Sequence, residues 1–474
     1  MAGFIGRSEQ LGALNQILQK VATDEDSKPG RALLMRGRRR VGKSRLVEEF
    51  LDQAGVPYVF FTASTRSTVE ELQLFSNEVV ASNLPGRANF DSVTIGSWEA
   101  ALRLLITTLP GNGPSVVVID ELPYLIKSDE AFEGTLQKIF DRELSRHRVL
   151  LIGIGSDLGI METLNGYGRP FHQRATEMVI PPLSPAEVAD MLQLPAADAF
   201  DAYLITGGLP MICKEWKPGL SPMAFLGRAL KSSTSALIVS GERSLAAEFP
   251  PDARARNVLS AIGSGERTFT NIGNAAGELH GGSFPRALNT LTEKRIVVAE
   301  RPLSTKASKE TRYRISDPYL RFWLNFINPH LAEIERGKGD LVLGRIQTSW
   351  LSYRGRVIEP ILRESISRLP STELPYGNGV VGGYWTRTNQ PEIDVVICDR
   401  APVAKTILGV GSIKWLERAP FDGNDLNELI KHRAQLPGAT DGTPLLIVSR
   451  SGCLVSEMPS VRVLSPEDLL GAWK

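Results

Sequence analysis

The chain has 474 residues, of which 42% are hydrophobic and 23% charged, and its formal net charge is +1. This length exceeds one compact core, so we expect roughly two to four domains. A net charge near zero excludes a general attraction to nucleic acid or membranes, and three widely spaced cysteines exclude a disulfide framework. Because the apolar runs are far shorter than a membrane span, we expect a cytoplasmic protein that does not contact a membrane.

The first part of the chain alternates strand-like apolar runs with amphipathic stretches whose apolar residues recur at helical spacing. Strands separated by helices predict an α/β fold with a parallel sheet that is covered on both faces. The predicted strands are residues 32–36, 58–62, 115–120, 149–155 and 177–180.

Pro181 to Pro185 end this pattern, and the chain is then predicted to be helical to about residue 245. A helical unit that ends in a β-hairpin follows. After it come a helix, strands at 380–385, 392–399, 406–415 and 444–449, and a helix at 424–434. We therefore predict four domains, at residues 1–183, 184–250, 251–335 and 345–474.

A glycine-rich motif lies between the first predicted strand and the following helix. Residues 37–44 read G-x-x-x-x-G-K-S, from Gly37 through Gly42 to Lys43 and Ser44. The glycines let backbone N–H groups converge on phosphates, and a helix N-terminus adds favourable partial charge. In this P-loop, Lys43 is expected to contact the β- and γ-phosphates of ATP, and Ser44 to ligate Mg²⁺. We also assign Arg40, Val41 and Arg45 to the nucleotide site.

Acidic residues follow the third predicted strand. Asp120 ends the apolar run 116–119, so it is expected beside the P-loop as a second ligand for Mg²⁺. Glu121 is then placed to polarise the attacking water, which favours hydrolysis of ATP. A solvated strand end is the alternative interpretation of this pair.

Two further positions are candidates for sensing or stabilising the γ-phosphate. Ser156 ends the strand at 149–155, where a cap without a role in catalysis is the alternative. Arg169, with Arg174 near it, could stabilise phosphate charge in its own subunit or in a neighbouring one. A surface ion pair is the alternative for either arginine.

Six motifs occur in one order: Phe4-Ile5-Gly6-Arg7, the RRRVGKSRL continuation of the P-loop, IDELPYL, GSD, YGR, and Gly207-Gly208-Leu209-Pro210. Over about residues 1–245 this order resembles the archaeal-type ATPases of the STAND class, which are relatives of AAA+ proteins. The resemblance implies that the segment with Phe4, Gly6 and Arg7 lies over the adenine. It also implies that the turn before Pro210, in the helical lid at 184–250, reports which nucleotide is bound. Taken alone, that turn predicts only a corner between two helices.

Residues 254–322 contain twelve Lys and Arg against six Asp and Glu, a local excess of six positive charges. The order of three helices and a hairpin resembles the winged helix-turn-helix that this ATPase family often carries. The resemblance places Arg286 on the recognition helix, and Lys306, Lys309 and Arg312 in the wing. Such groups suit contacts with the phosphates of DNA. A module that only packs against other parts of the protein is the alternative.

The predicted C-terminal domain contains Glu359 on a helix, Asp394 in one strand and Lys414 at the end of another. These three could converge on Mg²⁺ and an attacking water, and Lys414 would stabilise the developing charge. The arrangement resembles the PD-(D/E)XK nuclease fold, also called restriction-endonuclease-like. That family pattern has an acid two residues before the lysine, where this chain has Ser412. Glu392, on the face of Asp394, could replace it.

The sequence thus predicts an ATP- and Mg²⁺-binding switch ATPase with a helical lid, a winged helix and a nuclease-like α/β domain. The leading hypothesis is an action on DNA or RNA through the C-terminal domain. The alternatives are a catalytically inactive domain that binds an unknown protein partner, and a transcriptional regulator that binds DNA through its winged helix. A homo-oligomer stays open.

Overall fold

The computed structural model describes residues 4–164, 166, 169, 171, 174–248, 253–277, 282–371, 374, 377, 379–455 and 460–474. The chain divides into two compact units, Met1–Pro182 and Leu183–Lys474. Across these described ranges, no helix combines the length and the apolar character that are needed to cross a bilayer.

The first unit is a parallel sheet with helices. Its strands lie in the order β2-β3-β4-β1-β5, and each pair is parallel. The strands are β1 (Arg31–Arg36), β2 (Tyr58–Thr62), β3 (Ser115–Asp120), β4 (Val149–Gly155) and β5 (Ala175–Val179). The helices are α1 (Ser8–Thr23), α2 (Lys43–Ala54), α3 (Thr68–Ala81), α4 (Trp98–Ile106), α5 (Leu122–Ser128), α6 (Phe132–Arg142) and α7 (Leu158–Leu164).

The central strands explain why this sheet forms. Every residue of β3 and of β4 is buried, as expected when helices cover both faces of a parallel sheet. The predicted parallel α/β fold is therefore confirmed. Because β3, β4 and β1 are neighbours, their carboxyl ends meet at one edge of the sheet. That edge receives the P-loop, Asp120 and Ser156.

The second unit begins with helices and continues into a hairpin and a mixed sheet. Its helices are α8 (Pro185–Leu192), α9 (Ala196–Thr206), α10 (Pro210–Glu215), α11 (Pro222–Ala229), α12 (Ala236–Glu248), α13 (Ala253–Gly263), α14 (Phe269–Ala275), α15 (Ser283–Glu293), α16 (Pro318–Phe322), α17 (Leu331–Glu335), α18 (Gly339–Arg368), α19 (Gly423–Gln435) and α20 (Pro466–Gly471). Its strands are β6 (Val297–Glu300), β7 (Arg312–Ile315), β8 (Val380–Trp385), β9 (Glu392–Cys398), β10 (Ile407–Lys414), β11 (Leu445–Ser449) and β12 (Val461–Leu464).

The sheet of the second unit has the order β12-β11-β10-β9-β8. The β8–β9 and β9–β10 pairs are antiparallel, whereas β10–β11 and β11–β12 are parallel. This sheet is the separate C-terminal α/β domain that the sequence predicts. The sequence pattern does not predict β12 or α20. The predicted domain boundary at residue 345 lies inside the continuous helix α18.

The hairpin β6–β7 packs against the C-terminal sheet through its connecting loop. The Leu303 N–H donates to the carbonyl of Gly383 at 2.9 Å, and the Ala404 N–H donates to the carbonyl of Ser304 at 3.0 Å. Leu303 is buried in the core of that domain. The loop that the resemblance assigns to the wing is therefore partly used in packing within the second unit.

Candidate functional site

The P-loop connects the buried strand β1 to helix α2, and two of its glycines are required by local geometry. Gly42 has a φ of +88°, a left-handed conformation that glycine adopts without strain. A Cβ atom on Gly37 would lie 2.5 Å from the carbonyl oxygen of Ile180. Among the described residues, no side chain caps the N-terminus of α2. Its first backbone N–H groups therefore suit the phosphates of a nucleotide.

Lys43 is the first residue of α2, and its side chain folds back over the loop. Its Nζ donates hydrogen bonds to the carbonyls of Gly37 at 2.9 Å and Arg38 at 3.0 Å, and to the Ser156 hydroxyl at 3.0 Å. Burial lowers the pKa of Lys43, and the nearby carboxylates of Glu121 and Asp120 oppose this shift. The ammonium group therefore lies over the loop that the phosphate prediction requires.

Ser44 and Asp120 are in direct contact. The Ser44 hydroxyl donates a hydrogen bond to Asp120 Oδ2 at 2.6 Å. Only 6% of Asp120 is exposed, and this burial raises its pKa, while the bond from Ser44 opposes the shift. Mg²⁺ in nucleotide sites takes one or two protein oxygens and completes its shell with phosphates and water. A hydroxyl and a carboxylate side by side fit such an ion.

Ser156 connects Lys43 to Glu121. Its hydroxyl accepts the bond from Lys43 and donates to Glu121 Oε1 at 3.0 Å. Glu121 has a φ of +54°, a left-handed conformation that costs a non-glycine residue roughly 1–2 kcal/mol. The chain thus turns directly after β3, and the Glu121 carboxylate contacts Ser156. Asp157 instead caps α7 and pairs with Lys127 at 2.9 Å.

The segment before α1 reaches the P-loop through Arg7. This arginine is 4% exposed, and its guanidinium donates to the carbonyls of Val41 at 3.1 Å and Pro181 at 2.7 Å. The Arg45 guanidinium lies 6.0 Å from the centre of the Phe4 ring. Gly6 adopts a φ of +75°. The role of this segment over adenine stays a prediction.

The arginines after β4 contact α6 in this structure. Arg169 pairs with the buried carboxylate of Glu133, and Arg174 pairs with Asp141 at 2.8 Å. Burial raises the pKa of Glu133, and the charge of Arg169 opposes that shift. Tyr167 and Gly168 of the YGR motif lie outside the described residues. A contact of Arg169 with the γ-phosphate stays a prediction.

Gly207 and Gly208 form the corner that the sequence predicts between two helices. Both have positive φ values, +58° and +68°, between the end of α9 and Pro210 at the start of α10. The N–H of Leu183 donates to the carbonyl of Gly208 at 2.9 Å. Whether Pro210 reports the bound nucleotide stays a prediction.

In the C-terminal domain, Arg363 connects Glu359 to Asp394. It donates to Glu359 Oε2 at 2.8 Å and, through Nε, to the backbone carbonyl of Asp394 at 2.5 Å. Asp394 Oδ2 accepts from the Ser412 hydroxyl at 3.1 Å and from the Ile413 N–H at 2.8 Å. Burial raises the pKa of Glu359 to about 7, and it also raises the pKa of Asp394.

Lys414 takes a different partner. Its Nζ donates to Asp425 Oδ2 at 2.5 Å, near the start of α19. Glu392, considered above as a substitute for the missing acid, pairs with Arg312 at 2.6 Å. In the part of the chain that the structure describes, no cluster of three or more His, Cys, Asp or Glu could hold a metal. A metal ion at Asp394 stays a prediction.

Two of these partners, Arg363 and Asp425, are not predicted from the sequence, although each has a local signal. Arg363 follows Glu359 by four residues, the spacing at which helix side chains are neighbours. Asp425 is the third residue of α19 and forms a capping box with Asp422. Neither signal shows that Asp425 pairs with Lys414, because that contact joins a helix to a strand.

Comparisons with known proteins bear on both units. Residues 33–169 match the AAA family, the ATPase family associated with various cellular activities. This match includes the P-loop, Asp120 and Ser156, and it confirms the predicted P-loop ATPase domain. Residues 323–425 match the family DUF234, described as Archaea bacterial proteins of unknown function.

Similar proteins cover most of the chain. Over 445 residues it is 25% identical to the uncharacterized protein MJECL04 of Methanocaldococcus jannaschii. The aligned segment covers 92% of this chain and 93% of that protein. The Walker-type ATPase of Pyrococcus abyssi is 18% identical, with a TM-score of 0.49 and coverage of 68% and 96% of the two chains. The Aeropyrum pernix ORC2 protein in its ADPNP–ADP complexes is 14% identical, with a TM-score of 0.49 and coverage of 71% and 97%.

Proposed function

We propose that this protein is a switch that binds and hydrolyses ATP with Mg²⁺ at the P-loop of its first unit. The observation that carries the proposal is the chain of hydrogen bonds from Lys43 through Ser156 to Glu121, beside the Ser44–Asp120 contact. An ammonium group, a hydroxyl beside a carboxylate and a second carboxylate lie at one edge of the sheet, and they support the proposal as the groups for phosphate, Mg²⁺ and water. Bound Mg²⁺ would supply neutralising charge for the phosphates.

Each residue of the site has a separate role in the proposed hydrolysis. Lys43 exchanges its bonds to backbone carbonyls for bonds to the β- and γ-phosphates. Glu121 accepts a proton from a water whose oxygen bonds to the γ-phosphorus, while the bond from that phosphorus to the bridging oxygen breaks and ADP leaves. Ser156 donates to Glu121 and so holds the carboxylate near the reacting phosphate. Arg169 reaches the phosphate only if it leaves Glu133.

Substitution of Lys43 by alanine tests the site. Loss of a charge-assisted hydrogen bond costs about 1.5–3 kcal/mol, so the affinity for ATP should fall by about 10- to 100-fold. Titration of the full chain with ATP and Mg²⁺ measures this. Lys138→Ala is a matched control, because Lys138 is half exposed and pairs with Glu99 in the same unit. Equal affinities of Lys43→Ala and wild type would refute the phosphate assignment.

For the second unit we propose that the nuclease-like domain binds nucleic acid without cleaving it, as the output of the switch. Two contacts in the C-terminal domain support the absence of cleavage. The Ser412 hydroxyl occupies the place of an acid and is a weaker ligand for Mg²⁺ than a carboxylate. Lys414 is held by Asp425 and is therefore not free to stabilise a phosphate. Nucleic-acid cleavage through Glu359, Asp394 and Lys414 is the competing function, and it requires Lys414 to leave Asp425.

Incubation with DNA or RNA distinguishes the two outputs. With Mg²⁺ or Mn²⁺, the wild-type chain and Lys414→Ala are both expected to leave the nucleic acid intact, because the metal site lacks one carboxylate. Cleavage by the wild type that disappears in Lys414→Ala would establish the nuclease instead. The same samples are expected to retain labelled nucleic acid, and the retained amount should fall as salt is added.

We propose further that α13, α14, α15 and the hairpin β6–β7 form a winged helix. The order of these elements supports it, and Arg286 on α15 is exposed. The contacts of the β6–β7 loop with the C-terminal sheet favour a role in packing over insertion of the whole wing into DNA. The same proposal includes membership of the STAND class, in which Pro210 of the lid responds to the bound nucleotide. It also includes a homo-oligomeric state.

A further inference from the structure

The second unit contains two adjoining cavities that the proposed function does not use. Their volumes are about 270 Å³ and 40 Å³, and they share Arg314, Arg363 and Trp385 among their lining residues. The side chains come from hairpin β6–β7, from α18 and from β8, so the space lies where the hairpin meets the C-terminal domain. We call these two spaces together the arginine cavity.

The charge of the arginine cavity is strongly positive. Seven arginines and three glutamates line it, which leaves an excess of four positive charges. Some of the arginines have carboxylate partners. Arg314 pairs with Glu300 at 2.5 Å, and Arg363 pairs with Glu359 at 2.8 Å.

Arg267 and Arg312 pair with Glu392, which lies outside the lining. The other three lining arginines, Arg301, Arg321 and Arg356, form no ion pair among the described residues. Burial lowers the pKa of Arg321, and the charges of Arg314 and Arg356 add to that shift, whereas Tyr353 and Glu359 oppose it. The Arg321 side chain is partly buried, and no ion pair neutralises it among the described residues. An anion in the cavity would supply the opposite charge and acceptors for its donors.

Trp385 supplies a second, independent indication. It is 5% exposed, and its buried Nε1–H finds no hydrogen-bond acceptor within the described residues. The Arg312 guanidinium covers one face of the indole, 4.4 Å from the ring centre. An indole N–H and a guanidinium can only donate hydrogen bonds. Arg312 is already paired with Glu392. The Trp385 Nε1–H and the arginines without an ion pair would be matched by a ligand rich in acceptor oxygens.

We propose that the arginine cavity binds the terminal phosphate monoester of a small ligand no larger than a mononucleotide. Phosphate offers several oxygens to guanidinium groups and forms strong charge-assisted bonds with them. The cavity volume lies near the lower end of small-molecule sites, which excludes a large cofactor. The inference is independent of the ATPase proposal, because every lining residue lies in the second unit.

Calorimetric titration of the full chain with uridine monophosphate tests the proposal. ADP and Mg²⁺ are added first to saturation, so that the P-loop is already occupied. The binding of ADP in that step reports on the P-loop, and the later binding of uridine monophosphate reports on the arginine cavity. The wild type is expected to bind the monophosphate and not uridine. Arg321→Gln and Arg356→Gln should each weaken binding by about tenfold. Arg356 is exposed, so its variant keeps the test valid if Arg321→Gln fails to fold.

The matched control is Arg345→Gln, on the same helix but outside the cavity, and it should bind like wild type. A second arm compares a short oligonucleotide that carries a 5′-phosphate with one that carries a 5′-hydroxyl. Binding of the free monophosphate supports a small ligand, whereas binding of only the phosphorylated oligonucleotide would identify a nucleic-acid end and overturn the proposal. If neither binds, or if both arginine variants bind like wild type, the proposal is wrong.

Discussion

Substitution of Glu121 by glutamine is expected to lower the rate of ATP hydrolysis by about 10²- to 10⁴-fold, the usual contribution of a general base. Glutamine has the shape of glutamate and keeps an oxygen that accepts the bond from Ser156, but it cannot take a proton from water. ATP should therefore still bind, because Lys43, Ser44 and Asp120 are unchanged. The variant is expected to accumulate with ATP bound.

Single-turnover hydrolysis and ATP titration on the same samples separate these effects. Glu99→Gln is the matched control, because Glu99 is a partly exposed glutamate of the first unit that pairs with Lys138 and Arg103. Hydrolysis by Glu121→Gln at the wild-type rate would show that another group activates the water. A loss of ATP affinity equal to the loss of rate would instead assign Glu121 to binding.

Substitution of Arg354 by alanine is expected to cost about 3–5 kcal/mol of unfolding free energy in the second unit, the range for breaking a buried ion pair. Arg354 is fully buried on α18. It donates to Asp201 Oδ2 on α9 at 2.8 Å, to Glu417 at 2.8 Å, and to the carbonyl of Trp415 at 3.2 Å. Without Arg354, Asp201 keeps only Arg450 as a charged partner within the described residues. Burial raises the pKa of Asp201, and the charges of Arg450 and Arg354 oppose this shift.

Urea unfolding followed by tryptophan fluorescence measures this loss, because six of the seven tryptophans belong to the second unit. Arg345→Ala on the same helix is the control. Arg345 is half exposed and pairs with Glu333, so its loss should cost at most about 1 kcal/mol. Equal unfolding midpoints for the two variants would mean that the buried cluster does not hold α18. A destabilised α18 would also displace Glu359 and Arg363.

The strands of the first unit could be predicted because their signal is local. A strand buried on both faces is a short continuous apolar run, and β2, β3 and β4 have the predicted bounds. The signals at the end of the chain are weaker. Strand β12 has only four residues and includes Arg462, and the first turns of α18 are polar enough to resemble a linker. Such elements are stabilised mainly by the neighbours against which they pack.

Some features of the candidate site could be predicted from the sequence, and others could not. The spacing from Gly37 to Ser44 and the pair Asp120-Glu121 indicate phosphate and metal chemistry without any knowledge of the fold. The link through Ser156 could only be guessed from its place at a strand end. The contact of Arg7 with Pro181 joins residues that are distant in the chain, and no local pattern encodes it.

The sequence alone determined the P-loop, the acidic pair and the alternation of strands and helices that makes the first sheet parallel, because these depend on residues that are neighbours along the chain. Tertiary structure alone decided that Lys43 and Glu121 share Ser156, that Asp425 holds Lys414, and that Arg321 lines a cavity without an ion-pair partner among the described residues. The physical reason is that charged side chains pair with whatever the fold brings within a few ångströms. The paired residues therefore belong to elements that are far apart in sequence.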